Sequence, residues 1–253
     1  MAMNPKLRDW AGKRVWLVGA SSGIGAELAR QLAQRGCRLA LSARSRERLA
    51  ALSLPEALLL PCDVNDKAAL FDARAQLLAC WGGVDLVIYL AGDYVPMGVE
   101  DFDSEVAERL FAVNFTAATK LAECVLPDLK AGGGIALVAS VAGYRGLPKA
   151  MAYGPGKAAL IHFAECLYLD LAPRGVGVWL INPGFVATRL TAKNDFSMPA
   201  LLTVEAAAAA TLQGLASGAF EIHYPRRFTW VLKLLSLLPY RGYFPLIRRF
   251  TGG

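Results

Sequence analysis

After Glu221 the 253-residue chain has no acidic residue, although Arg226, Arg227, Lys233, Arg241, Arg248 and Arg249 follow it. Setting those six aside leaves 21 of the 27 Lys and Arg, against 21 Asp and Glu. The net charge of +6 therefore sits wholly in the tail, where the cations are interleaved with a hydrophobic run and no nucleic-acid recognition motif accompanies them. Histidine is scarce, with His162 and His223 far apart. Cys37, Cys62, Cys80, Cys124 and Cys166 include no CxxC pair and no His at ligand spacing, so they are read as buried free thiols and no metal is expected. No apolar run approaches the roughly 20 residues that span a bilayer as a helix. The opening residues MAMNPKLRDW carry charges and lack the apolar core and cleavage site of a secretory signal, so a cytoplasmic location is expected. Repeats, low-complexity linkers and internal boundaries are also lacking. One domain over residues 1–225 is expected, with 226–253 as a basic, apolar extension packed on or beside it.

What is present is alternation. Short apolar runs at Arg14–Gly19, Arg38–Ser42, Ala57–Pro61, Asp85–Leu90, Gly134–Ser140, Val176–Ile181 and Ala219–His223 predict seven strands. Helical spacing fills the intervals at Ile24–Arg35, Asp66–Cys80, Ser104–Leu129, Ala152–Leu171 and Val204–Ser217. Continuous apolar strands alternating with helices predict an α/β, doubly wound Rossmann-type domain: a seven-stranded parallel sheet with helices on both faces. Ligands of such sheets sit beyond the carboxyl ends of the strands, so the chemistry is sought just after each strand.

The first strand runs into GASSGIG, residues Gly19, Ser21, Ser22, Gly23, Ile24 and Gly25 among them, and then into a helix. A glycine turn in that place lets backbone N–H groups and the helix N-terminus approach a pyrophosphate, although glycine turns also simply join strands to helices. The second strand ends in LSARSRER, with Arg44 where an acidic residue would accept from the ribose of NAD. Arg44 suits a 2′-phosphate and predicts NADP(H); Arg46 and Arg48 are read as a solvated face. The third strand ends in Asp63–Val64, where Asp63 is either a nucleotide contact or the cap of the helix beginning near Asp66.

The strongest constellation lies in ASVAGYRGLPKAMAYGPGK: Ser140 at a strand end, then Tyr153 and Lys157 four apart on one helix face. A nearby ammonium favours the phenolate and lowers a tyrosine's pKa, as a general acid/base for an alcohol–carbonyl pair requires. Together with GASSGIG, these residues resemble the short-chain dehydrogenase/reductase family. The resemblance runs in order from Val15 to about Thr188. It implies that Ser140 holds the substrate oxygen, Tyr153 transfers the proton and Lys157 binds the nicotinamide ribose. It further implies that Asn114, in FAVNFTAATK, bends its helix and holds a water on the proton relay, with a purely structural Asn as the alternative. It places Asp63 and Val64 at the adenine, and Ala91 and Gly92 close to the cofactor. From INPGFVATRL it places Pro183 and Gly184 beside the nicotinamide and Val186 among the cofactor contacts, with Thr188 on a phosphate or the carboxamide. It also implies a homodimer or homotetramer.

Three features depart from that family's pattern. Tyr89-Leu90-Ala91-Gly92 stands where Asn-Asn-Ala-Gly is usual, and altered sheet-edge or ribose contacts are expected there. Gly-Pro-Gly separates Tyr153 from Lys157, and Pro155 is tolerable only in the first helical turn. The third departure is the tail itself, where Phe228, Trp230, Leu234, Leu235, Leu238, Tyr243, Phe244 and Phe250 are interleaved with the six cations. Two roles fit it: peripheral contact with anionic lipid, or packing over the substrate cleft or a partner subunit. Either favours a bulky, apolar or lipid-like carbonyl or alcohol as substrate. A catalytically silent NADP-binding sensor or scaffold of the same fold is the rival function, and a nucleic-acid partner is not expected.

Overall fold

The computed structural model describes residues 2–194 and 198–251. Its centre is a parallel sheet of β1 (Arg14–Val18), β2 (Arg38–Ser42), β3 (Leu58–Leu59), β4 (Leu86–Tyr89), β5 (Gly134–Val138), β6 (Gly177–Pro183) and β7 (Glu221–Tyr224), in the order β3-β2-β1-β4-β5-β6-β7. All seven expected strands form. The third, at the sheet edge, is only two residues long, Leu58 and Leu59, paired with Ala40 and Leu41 of β2. The order reverses between β1 and β4, which opens the ligand crevice at the carboxyl ends of those two strands.

Alternation along the strands divides the core. Trp16, Val18, Val87 and Tyr89 point to one face, under α3 (Lys67–Trp81), α5 (Ala117–Val125) and α6 (Gly154–Leu171). Val15, Leu17, Leu86 and Ile88 point to the other, under α1 (Gly23–Ala33) and α7 (Val204–Ser217). Trp16 is fully buried and its indole N–H donates to Ser42 at 2.9 Å. Truncating a side chain of that size in such a core costs about 3–5 kcal/mol. Helix ends follow local chemistry: Asp66 caps α3, Thr203 caps α7, and Gly82 and Gly218 close those two helices in the left-handed conformation.

Three local outcomes differ from the periodicity. A short helix α2 (Arg46–Ala50) follows β2, nucleated by Ser45, which accepts from the Arg48 N–H. The long segment expected over Ser104–Leu129 is α4 (Ser104–Phe111), a π-helical turn over Ala112–Thr116 and then α5, so the inserted residue falls around Asn114. Cys62 and Cys124 are buried, but Cys80 and Cys166 are exposed on outer helix faces and Cys37 is half-buried, contrary to the reading of all five as interior thiols.

Pro239 divides the tail into α8 (Arg226–Ser236) and α9 (Tyr240–Thr251). Both helices pack against loops at the carboxyl ends of β5 and β6. Phe228 faces Phe185 with ring centroids 5.6 Å apart. The Arg145 guanidinium lies 4.6 and 4.2 Å from the Tyr240 and Tyr243 ring centroids and donates to the Ser236 and Leu238 carbonyls at 2.8 and 2.5 Å. Tyr243 in turn donates to the Gly146 carbonyl at 2.7 Å. No helix among the described residues is long and apolar enough to cross a membrane.

Candidate active site

The β1–α1 turn is built by close backbone approach. A Cβ on Gly19 would lie 2.5 Å from the Ala91 N, and one on Gly25 would lie 2.4 Å from the Gly19 carbonyl oxygen. Those two glycines are demanded by the fold itself, and they press the β1 turn onto the Ala91–Gly92 loop after β4. Gly23 differs: its φ is +55°, and a Cβ there would meet the Thr188 methyl at 3.2 Å. Ser22 caps α1 by position but makes no side-chain bond to it, and a helix N-terminus of that kind suits an anion. A cavity of about 650 Å³ has Ser21, Ser22, Gly23 and Thr188 in its walls.

Arg44 is exposed at the end of β2. Glu47, three residues on in sequence, is engaged in the α2 cap, where its carboxylate accepts from the Ser45 hydroxyl at 2.8 Å. Its own backbone N–H first, and the Ser45 hydroxyl second, hold Glu47 below the usual carboxylate range. Asp63 is exposed and its carboxylate accepts from the Asn65 N–H at 2.9 Å. It forms a local turn, while Asp66 does the capping of α3. Val64 is buried in the core. Pro183 ends β6, Gly184 N–H donates to the Tyr224 carbonyl at 2.7 Å, and Val186 is buried with its carbonyl accepting from Thr191 at 2.6 Å.

The catalytic candidates converge below this cleft. Ser140 ends the β5 loop in extended conformation, and its Oγ accepts from the Ala142 N–H at 3.1 Å. Tyr153 stands at the N-cap of α6, with Pro155 in the first turn as expected. Lys157, one turn on, is buried; its Nζ donates to the Val138 carbonyl at 2.9 Å and lies 5.6 Å from the Tyr153 ring centroid. Burial dominates both groups. It pushes the Tyr153 phenol up to about 12 although hydrogen bonding with Ser140 pulls the other way, and pushes the Lys157 amine down to about 7. Desolvation disfavours both ions, and the influences on the phenol are its burial first, then Ser140 and Tyr94.

Asn114 is fully buried in the π-turn; its Nδ2 donates to the Asp93 carbonyl at 2.8 Å, and its Oδ1 has no partner among the described residues. A Cβ on Gly92 would fall 2.8 Å from that Oδ1 and 3.5 Å from Lys157 Nζ. An unclaimed acceptor and a buried amine therefore flank one small space kept open by a glycine. This polar pocket and the glycine cradle at α1 match what a nicotinamide dinucleotide presents, ribose hydroxyls at one end and phosphates at the other.

Several participants escape motif reading. Tyr89 does not alter a sheet edge, as its place in the sequence suggested, because β4 is central; the fully buried phenol donates to the Val113 carbonyl at 2.5 Å, inside the π-turn. Tyr94 packs edge-to-face on Tyr153, centroids 5.0 Å apart, and donates to Asn194 at 2.8 Å. Lys193 reaches the Asp93 carboxylate at 3.1 Å, so the segment after β6 is tied across the cleft to the loop after β4. Glu221 receives hydrogen bonds from Tyr144, Asn182 and Lys233. Burial pushes that carboxyl up, and the three donors overcome it and hold it below its usual range. Glu221 had a signal in the sequence, as the last acid before an all-basic stretch.

Comparison with known proteins agrees with this architecture. The chain is 34% identical over 232 residues to a protein of Myxococcus xanthus described as an uncharacterized oxidoreductase, covering 88% of this chain and 91% of that one. Two solved structures share the fold. A short chain dehydrogenase/reductase of Burkholderia phymatum in complex with NAD superposes with a TM-score of 0.82 at 23% identity, covering 90% of this chain and 94% of that one. A short chain dehydrogenase of Burkholderia cenocepacia J2315 in complex with NADP gives 0.78 at 24%, covering 92% and 100%. The family model described as short chain dehydrogenase matches residues 13–197, and the chain belongs to that family of oxidoreductases.

Proposed function

We propose that this oxidoreductase interconverts a ketone or aldehyde with an alcohol, using NADP(H) as the redox partner and Tyr153 as general acid/base. The observation that carries the reading is the convergence of Ser140, Tyr153, Lys157 and the partnerless Oδ1 of Asn114 around one buried space beside Gly92. When bound, the nicotinamide supplies or accepts hydride at the substrate carbon. Ser140 donates a hydrogen bond to the substrate oxygen and fixes it against the Tyr153 hydroxyl. In reduction the phenol gives its proton to the developing alkoxide, and a phenol held near 12 remains protonated for that role at neutral pH. Lys157 holds the ribose and, with a pKa near 7, can pass a proton back toward Tyr153 through a water held by the Asn114 carbonyl. In oxidation the same transfers run in reverse.

Exposed Arg44 at the β2 end, with Glu47 engaged in a helix cap, supports NADP(H) over NAD(H). The tail's packing over the 144–146 and 183–185 loops supports a bulky, apolar substrate, because Phe228 and the Arg145–Tyr243 contact wall that side of the cleft. A homodimer or homotetramer in the cytoplasm fits the same reading. The test is NADPH and NADH oxidation by the purified chain over ketones and aldehydes of increasing chain length. Turnover with NADPH that rises with chain length is expected. Failure of every carbonyl and, in the reverse direction, of every alcohol would contradict it.

A further inference from the structure

Among the described residues, fifteen large apolar side chains are exposed, and eight of them lie in α8, α9 and their connection: Trp230, Val231, Leu234, Leu237, Tyr240, Phe244, Leu246 and Phe250. The rest of the chain, some eight times longer, supplies only seven. The tail thus has two sides. Phe228 and Tyr243 turn inward onto the β6 and β5 loops, Thr229 is buried against His223 of β7, and Ile247 is buried. Trp230, whose ring packs edge-on against His223 with centroids 5.4 Å apart, joins Leu234 and Leu237 at i, i+4, i+7 in a stripe along α8 and its C-cap, with exposures of 53%, 62% and 79%. Inward packing accounts for fewer than half of the tail's large apolar residues and leaves this stripe unexplained.

Charge identifies what the stripe meets. Lys233 is spent on Glu221, but Arg226, Arg227, Arg241, Arg248 and Arg249 are exposed and form no ion pair among the described residues. No acid lies beyond Glu221 to balance them. A second copy docked face to face about a two-fold axis would set five arginines against five. An interfacial helix pair, by contrast, has this composition: apolar side chains for the acyl boundary, flanked by arginines for anionic head groups. We propose that the outward face of α8 and α9 is a docking surface for an anionic phospholipid bilayer, with Trp230, Leu234 and Leu237 entering the interface and Arg226, Arg227 and Arg241 meeting phosphate head groups. Docking of this kind requires nothing of the hydride chemistry. Its bearing on substrate is positional: the inward side of the same helices touches Gly146 and Gly184, so the membrane lies next to the loops that frame the catalytic cleft.

The experiment is co-sedimentation of the full chain with phosphatidylcholine vesicles containing about one-third phosphatidylserine, beside pure phosphatidylcholine, at low salt and at about 0.5 M salt. Anionic vesicles should bind at least about tenfold more tightly than neutral ones, and salt should weaken the contact. Leu234→Asp/Leu237→Asp changes only outward side chains and should abolish binding with an unchanged melting transition. Arg226→Glu/Arg227→Glu should cost about tenfold or more; glutamates favour a helix N-terminus, so this loss would not reflect an unravelled α8. Trp230, the most exposed of the tail's aromatic anchors on α8, gives a further signal: vesicles should shift the emission of the native chain to the blue, and Trp230→Phe should remove that shift. Absence of vesicle binding, binding indifferent to both double variants, or a dimer that Leu234→Asp/Leu237→Asp splits into monomers would overturn the proposal, the last by assigning the face to a second copy. These outcomes are separate from those of the carbonyl screen, since a chain that docks without turnover keeps the surface and loses the enzymatic reading.

Discussion

The Tyr89 hydroxyl donates at 2.5 Å to the carbonyl of Val113, the residue before Asn114 in the π-turn. A π-turn frees a carbonyl from the regular helical ladder, and a buried carbonyl left unpaired is costly. Here the last residue of a central strand satisfies it, and so fixes the turn that carries Asn114 to the space beside Gly92 and Lys157. Tyr89→Phe keeps the ring in the core and removes only this bond. We predict a stability loss of about 1 kcal/mol in denaturant melts and a several-fold fall in kcat with NADPH affinity within about twofold of the native chain. A variant with lower stability but native kcat would limit Tyr89 to packing.

Cofactor choice is predicted to rest on Arg44. Arg44→Ala should weaken NADPH binding by about 10- to 100-fold, the range of a charge-assisted bidentate contact, and leave NADH nearly unchanged. Titration calorimetry with both nucleotides checks this; equal affinities in the native chain would contradict it.

Lys157 makes a stability prediction with a definite sign. Burial lowers its pKa from 10.5 to about 7, so between these values the unfolded chain binds the extra proton and stability rises with pH. Lys157→Met removes that burden. The variant should be more stable than the native chain by about 2–4 kcal/mol at pH 6, with the difference shrinking from pH 7 and gone near pH 10.5, while turnover is lost. Melting curves across that range would show it, and a pH-independent difference would contradict the assigned burial.

Arg145 holds the tail by two cation–π contacts and two bonds to the carbonyls at the end of α8. Arg145→Ala should cost about 2–3 kcal/mol of tail docking. Trypsin should then cleave within residues 226–249 well before the sheet domain, and KM for long-chain carbonyls should rise more than KM for short ones.

Much of this was legible in the sequence because its signals are local. Strands were readable from apolar runs, the Tyr153–Lys157 pair from helical spacing, and the glycine turn from its place between β1 and α1. What was not legible depends on partners distant in sequence. That Gly19 and Gly25 serve backbone packing emerges only when Ala91 and the Gly19 carbonyl are in place. The purpose of Tyr89 needs Val113, and that of Arg145 needs Tyr240 and Tyr243 about a hundred residues later. The tail's composition was plain from the outset, but which residues turn in and which turn out required the docked helices. Electrostatics needs the fold for a related reason: the four-residue spacing brings an ammonium toward Tyr153 but carries no information about burial, the first cause of the shift at both groups.

The central claim is proton transfer by Tyr153, and Tyr153→Phe tests it most directly. On any carbonyl that the native chain reduces with NADPH, the variant should lose about 10²–10⁴-fold in kcat while NADPH affinity and the melting transition stay close to native. Native turnover by the Phe variant would contradict the account.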